Sequence, residues 1–162
     1  MVAGLSVWVS GCGYTASPAL LPPHLKTVAI PVFGNDTPEA RIDQEVTTAI
    51  ITTFVKDNHL KIVDEKSANA VIRGKVTQYK NAVFGFTGST AESNEYRITV
   101  AVEVTFKDLV KNRELWSSEI IKSANYYVQP VPGQPPKTEL DGRAEVITKI
   151  ADEILSRSVE AW

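Results

Sequence analysis

The chain has 162 residues, with 17 basic and 19 acidic side chains and a formal net charge of -2. That length suits one domain with a real core, and the near-neutral mixture of charges removes the electrostatic case for a nucleic-acid binder. One cysteine excludes an internal disulfide framework, one cysteine with two histidines is a poor metal set, and no apolar run approaches the roughly 20 residues of a membrane-spanning helix.

At the start of the chain, residues 2–9 are apolar or small and run into Val9-Ser10-Gly11-Cys12. A short apolar stretch closing on small residues has the shape of the end of a secretory signal. The order aliphatic, small, small, cysteine resembles the lipobox of bacterial lipoprotein precursors, in which the thiol receives a diacylglyceryl group and the chain is cut just before it. The resemblance makes Cys12 the lipidation site and 1–11 a signal-peptide remnant, without the Lys or Arg that usually opens such a signal. The chemistry requires a thiol because a hydroxyl at that position is too weak a nucleophile. Several acyl chains, at about 0.8 kcal/mol per buried CH₂, hold a protein at a membrane where one would not. Within the same resemblance, Gly13 in place of an acidic residue points to the outer membrane.

Residues 12–25 are rich in proline and read as a lipidated tether, ahead of a single domain over 26–162. Residues 26–33 (KTVAIPVF) predict a strand, with Pro31 marking an edge or bulge near its end. Asp36 or Thr37 is a candidate helix cap, Pro38 suits a first turn, and Glu39 favours the positive end of the dipole. The helix is expected to run to about Asp57, with Ile42, Val46, Ala49, Ile50 and Phe54 on one face and Asn58 as its stop. A short strand follows at 60–63, then a long one at 70–80.

Residues 81–94 are expected to form a loop, long for a link between antiparallel strands, with Phe84 and Phe86 as a candidate partner-inserting tip. The clearest segment is 95–107. Tyr96, Ile98, Val100, Val102, Val104 and Phe106 alternate there with Arg97, Thr99, Ala101, Glu103, Thr105 and Lys107. Residues 114–126 return as a strand whose phase is ambiguous, which suggests a bulge. After a proline-rich crossing, Thr138 and Asp141 frame a last helix with Leu140, Ala144, Ile147, Ala151 and Ile154 as its apolar stripe, widened by Ile150 and Leu155.

These elements predict an α+β two-layer sandwich, with two helices packed on one face of a mixed four- to five-stranded sheet of long antiparallel strands. The strand–helix–strand opening is expected to cross over right-handed. The other face of the sheet stays uncovered and would carry Arg73, Lys75, Arg97 and Lys107 against Glu103, a locally basic surface. No nucleophile elbow is present, and the glycine–hydroxyl run at 85–90 lacks the lysine of a phosphate loop.

Taken together, Gly11-Cys12-Gly13-Tyr14, the run TVAIPVFGN at 27–35, ANAVIRGKV at 68–76 and Tyr96-Arg97 make the chain similar to the lipopolysaccharide-assembly lipoprotein E (LptE) family. The resemblance implies an outer-membrane lipoprotein that sits in the lumen of the LptD β-barrel as plug and assembly partner. It also implies contact with lipopolysaccharide, membrane attachment through the N-terminal lipid, no cofactor and no catalysis. The strand at 27–33 with its following helix also resembles CsgG-like and TolB N-terminal-like domains, which would make the protein a periplasmic envelope scaffold or activator. A hydrolase with a dispersed site is a third reading, which a deep polar cleft would revive. Mass spectrometry of the natively expressed product should find the chain beginning at a thioether-modified Cys12; an unmodified thiol behind an uncut leader would remove the lipoprotein reading.

Overall fold

The computed structural model describes residues 21–86, 93–128, 135 and 137–159. Cys12, most of the tether, the loop at 87–92 and most of the proline-rich crossing lie outside the described residues, as does the side chain of Phe86. The elements are β1 (Thr27–Ala29), β2 (Gly34–Asn35), α1 (Ile42–Asp57), β3 (Lys61–Ile62), β4 (Ala70–Phe86), β5 (Ser93–Asp108), β6 (Arg113–Tyr127) and α2 (Glu139–Val159). A short 3₁₀ turn, Glu65–Ser67, precedes β4.

The strands form one six-stranded sheet in the order β3-β1-β4-β5-β6, with β2 also on β4. Pairing is parallel among β1, β2, β3 and β4, and antiparallel for β4–β5 and β5–β6. The sheet therefore has six strands rather than four or five, because the expected first strand is divided in two. Pro31 cannot donate to a ladder, so the chain leaves β4 after Ala29 and rejoins it at Gly34. The detour strands the buried N–H of Phe33, which donates to the hydroxyl of the buried Thr47 (3.0 Å).

The centre of the core is β5. Ile98, Val100, Val102, Val104 and Phe106 are all buried, and each points from the sheet into the layer formed by both helices. Val46, Ile50 and Phe54 of α1 meet Val146, Ile150, Ala151 and Ile154 of α2 over that row. The period-2 alternation of β5 thus has its expected cause: one side of the strand is apolar and covered, the other is polar.

Several expectations are corrected. The first helix begins at Ile42, after Arg41 in a left-handed conformation, and not near Pro38. Asn35 preempts the earlier start: its side-chain oxygen accepts from the Thr37 N–H (2.9 Å) and hydroxyl (2.7 Å), and its amide donates to the Glu39 carbonyl (2.8 Å). Those local bonds hold 35–39 in a turn that competes with helix. The end of α1 follows expectation, with Asn58 left-handed and its N–H on the Phe54 carbonyl (3.0 Å).

Residues 81–86 are strand, not loop. Bulges at Thr77 and near Phe84 break the alternation, and the first inverts the phase, so Tyr79 and Asn81 face the helices like Ile72 and Val76. Asn81 confirms its side by bonding the hydroxyl of the buried Tyr126 (2.9 Å). A further irregularity falls at Leu115, between the pairs Phe106–Trp116 and Lys107–Glu114, and explains the ambiguous phase of β6.

Thr138 and Asp141 form the reciprocal cap of α2: the Thr138 N–H donates to the Asp141 carboxylate (2.8 Å), and the Asp141 N–H to the Thr138 hydroxyl (3.3 Å). The buried stripe of α2 is rotated from the expected one. Gly142, Val146 and Ser158 are buried with Ile147, Ala151 and Ile154, while Leu140 and Ala144 are exposed.

Two positions yield stability predictions. A Cβ on Gly74 would lie 2.5 Å from both the Glu103 carbonyl oxygen and the Phe33 ring. Gly74→Ala should therefore lower stability by about 1–3 kcal/mol, measured as a lower urea midpoint at unchanged slope. Asp108 is fully buried at the end of β5, with one oxygen on His24 Nε2 (2.7 Å) and the other accepting from the Val110 and Lys111 N–H groups (2.9 Å each). Burial by itself would raise its carboxyl, but the Lys111 N–H, His24 and the Val110 N–H hold it below the ordinary carboxylate range. Because the folded value is depressed, this stabilisation is present above a pH of about 4 and is lost as pH falls through the folded value. Asp108→Ala should cost on the order of 2 kcal/mol at pH 7, and the gap from wild type should narrow in acid melts.

Candidate ligand and partner surface

The helices cover one face of the sheet, and the register assembles the four expected cations on the other. Arg73 lies opposite Thr105, Lys75 opposite Glu103, Lys107 opposite Val71, and Arg97 opposite Ala82. Their placement on one face agrees with the alternation read from β4 and β5; their charge is another matter. Arg73 forms an ion pair with Glu65. Lys75 reaches Asp36 (2.9 Å) and Glu103 (3.5 Å). Its ammonium is held above its ordinary range, first by the hydrogen bond to Asp36 and that residue's charge, then by Glu103. A depression of about 500 Å³ there is lined by Arg73, Lys75, Glu103, Thr105, Ser117 and Glu119, so both signs are present. The rest of the face carries hydroxyl pairs, Thr99 with Ser123 (2.8 Å) and Thr105 with Ser117 (2.9 Å).

Arg97 has a different setting. Its guanidinium carbon stands 3.2 Å from the centre of the Phe84 ring, and its Nε donates to the Asn125 side-chain oxygen (2.8 Å). Asn125 in turn donates to Glu95 (2.6 Å). Phe84 is half exposed and belongs to β4, so this ring lies on the sheet beneath a cation and is not a loop tip. Lys107, exposed in part, has no ion pair among the described residues.

Around the edge of β6 from Arg97 is a cluster that sequence reasoning missed. Arg97, Ser123, Asn125, Lys137, Glu145 and Lys149 line a concavity of about 340 Å³. Lys149 donates to the Ser123 carbonyl (3.1 Å) and to Glu145 (2.7 Å), and Lys137 also pairs with Glu145. The Glu145 carboxyl is held below its ordinary range by the hydrogen bond from Lys137, then by that from Lys149. Three cations thus line a hollow with one carboxylate, which leaves it positive. They come from β5, α2 and the residue before its cap, and no spacing in the chain connects them. The one legible signal was the Glu145–Lys149 helical pair, which read as an ordinary exposed contact.

Histidine chemistry is confined to structural contacts: His59 lies exposed against Asp57 (2.8 Å), and His24 binds Asp108. Among the described residues no group of three or more His, Cys, Asp or Glu could hold a metal, and no helix is long and apolar enough to cross a membrane.

No curated protein sequence matches the chain. Its fold is similar to that of solved structures from several bacteria. These include a PelC dodecamer from Paraburkholderia phytofirmans (17% identity, TM-score 0.57, covering 90% of this chain and 94% of that one). A hypothetical protein, CT253, from Chlamydia trachomatis is also similar (13%, 0.55, covering 82% and 95%), as is XCC0632 from Xanthomonas campestris (8%, 0.57, covering 88% of each). At these identities the likeness is one of fold alone. A family model described as LptE, lipopolysaccharide-assembly, matches residues 25–158, all but the ends of the described body, and the chain belongs to that family.

Proposed function

We propose that the protein is an outer-membrane lipoprotein, anchored on the periplasmic side through Cys12, that serves as plug and assembly partner of the LptD β-barrel in lipopolysaccharide transport to the cell surface. The observation that carries this reading is the family match across residues 25–158. The role is binding and assembly, without a catalytic step or a cofactor.

The geometry supports the reading in two ways. β5 has 16 residues, which at about 3.3 Å per residue extends about 50 Å, and its polar face is left open along that length. A narrow body with one polar face suits the water-filled interior of a large barrel, whose inner wall is polar too. In the hollow of Arg97, Lys137 and Lys149, cations outnumber acids. Phosphate groups on a glycolipid headgroup fit it by charge and by its convergent donors. Arg73 and Lys75 contribute less in this reading, because Glu65, Asp36 and Glu103 already balance them, while Lys107 stands as a single cation. The aromatic pair Phe84 and Phe86, near the end of β4, is the proposed contact with the barrel wall.

Purification of the natively expressed lipoprotein in detergent tests the partner: a stoichiometric complex with a large outer-membrane barrel is expected, and recovery of the lipoprotein alone removes the plug role. For the ligand, reversing Arg97, Lys137 and Lys149 to Glu together should weaken lipopolysaccharide binding about tenfold or more, or about 1.4 kcal/mol. Wild-type binding should also weaken as salt rises. Reversing Arg73 and Lys75 should have a smaller effect. Equal binding by the triple variant would remove the hollow from the reading.

A further inference from the structure

β6 is the outer strand of the sheet on the side of the long antiparallel strands. Two contacts show which of its backbone groups face away from β5. The Tyr127 N–H donates to the Lys137 carbonyl (3.0 Å), and the Ser123 carbonyl accepts from Lys149 (3.1 Å). No register shift occurs between Trp116 and Tyr127, and backbone direction alternates along a strand. Ser117, Glu119 and Ile121 therefore also turn their N–H and C=O groups outward. The Glu119 carbonyl accepts from the Ser118 hydroxyl (3.2 Å); the Ser117, Glu119 and Ile121 N–H groups have no backbone partner among the described residues. Among the described residues, the chain covers the edge near Tyr127 with its own atoms and pairs no backbone group with the outward N–H groups of 117–121.

Side-chain chemistry on the same stretch is also incomplete. Glu119 stands directly opposite Glu103, at a non-hydrogen-bonded position where side chains approach most closely. Like charges so placed repel. Lys75 neutralises Glu103 from the other side (3.5 Å), while Glu119 is exposed and has no ion pair among the described residues. Two residues on, Ile121 is 55% exposed beside Ala101. The usual guards of an edge are displaced here: the bulge lies at Leu115, and Lys122 points to the helix side, bonded to Glu153 (2.9 Å).

We infer that residues 117–121 of β6 are a docking edge for an extended strand of another protein, one that sets a basic side chain beside Glu119 and an aliphatic one beside Ile121. The strand would take up the outward N–H and C=O groups, supply the cation missing from the row Lys75–Glu103–Glu119, and cover the isoleucine. This inference stands apart from lipopolysaccharide binding and does not need the LptD pairing.

The test uses the full chain and two synthetic peptides, Thr-Val-Thr-Lys-Thr-Val-Thr and its Glu-centred counterpart, whose near-palindromic patterns allow either strand direction. The Lys peptide should slow hydrogen exchange at the Ser117, Glu119 and Ile121 amides about tenfold and bind several-fold tighter than the Glu peptide. Ile121→Pro deletes an outward N–H without removing a β5 ladder bond. It should abolish that protection while its thermal midpoint stays near wild type. Glu119→Lys should reverse the peptide preference, which keeps the idea testable if the proline variant misfolds. Equal affinity for the two peptides, or unchanged exchange at these amides, overturns the inference. So does wild-type dimerisation that Ile121→Pro abolishes, because the occupant would then be a second copy of this chain.

Discussion

The rest of the structure depends on one packed row: Ile98, Val100, Val102, Val104 and Phe106 of β5, buried between two antiparallel neighbours and beneath two helices. Side chains on a strand alternate between faces, so burying this row commits every intervening residue to the open side. A slip of one position would send Arg97, Glu103 and Lys107 into the core and the aliphatic row into water. The cost of that exchange is what holds the register of the whole sheet, and with it the location of each polar group on its uncovered face.

The second layer is held by a different kind of interaction. Arg143 of α2 reaches Glu45 on α1 through two donors (2.8 and 3.0 Å) and also pairs with Glu39. Burial works against its charge, but the hydrogen bonds it donates to Glu45 and then to Glu39 outweigh it and hold the guanidinium above its ordinary range. Its other neighbour is the ring of Tyr79, 5.2 Å away. Helix-to-helix packing, the turn before α1 and the second half of β4 thus meet at one side chain. The arrangement closes the helix side, where the buried Tyr79 hydroxyl and Trp116 indole N–H are left without a hydrogen-bond partner among the described residues.

That distribution bears on function. A basic sheet face read from four cations becomes, in three dimensions, a patterned face where acids answer Arg73 and Lys75. The excess positive charge moves to the rim, where Lys137 and Lys149 join Arg97. Under the proposed role this pattern would serve a body seated against a polar wall, since paired charges tolerate such a wall and the hollow keeps more cations than acids.

Much of this was legible in the chain, and the limits have identifiable causes. β5 could be read because nothing interrupts its alternation, and the cap of α2 because Thr138 and Asp141 act at a fixed local spacing. Beyond Lys80 the strand is not legible in the sequence, since the bulge at Thr77 shifts the apolar phase and only pairing with β5 reveals the continuation. The start of α1 is masked in the sequence because Asn35 closes a turn over the same residues that resemble a helix cap. Sequence by itself determined the α+β class, the family resemblance, the buried row and the face on which Arg73, Lys75, Arg97 and Lys107 stand, because period and local capping are properties of neighbouring residues. Tertiary structure alone decided which of those charges are spent, where Lys137 and Lys149 gather, and which part of β6 lacks a backbone partner among the described residues. Those outcomes depend on distances between residues far apart in the chain, set by strand register and helix rotation, and no local pattern carries that information.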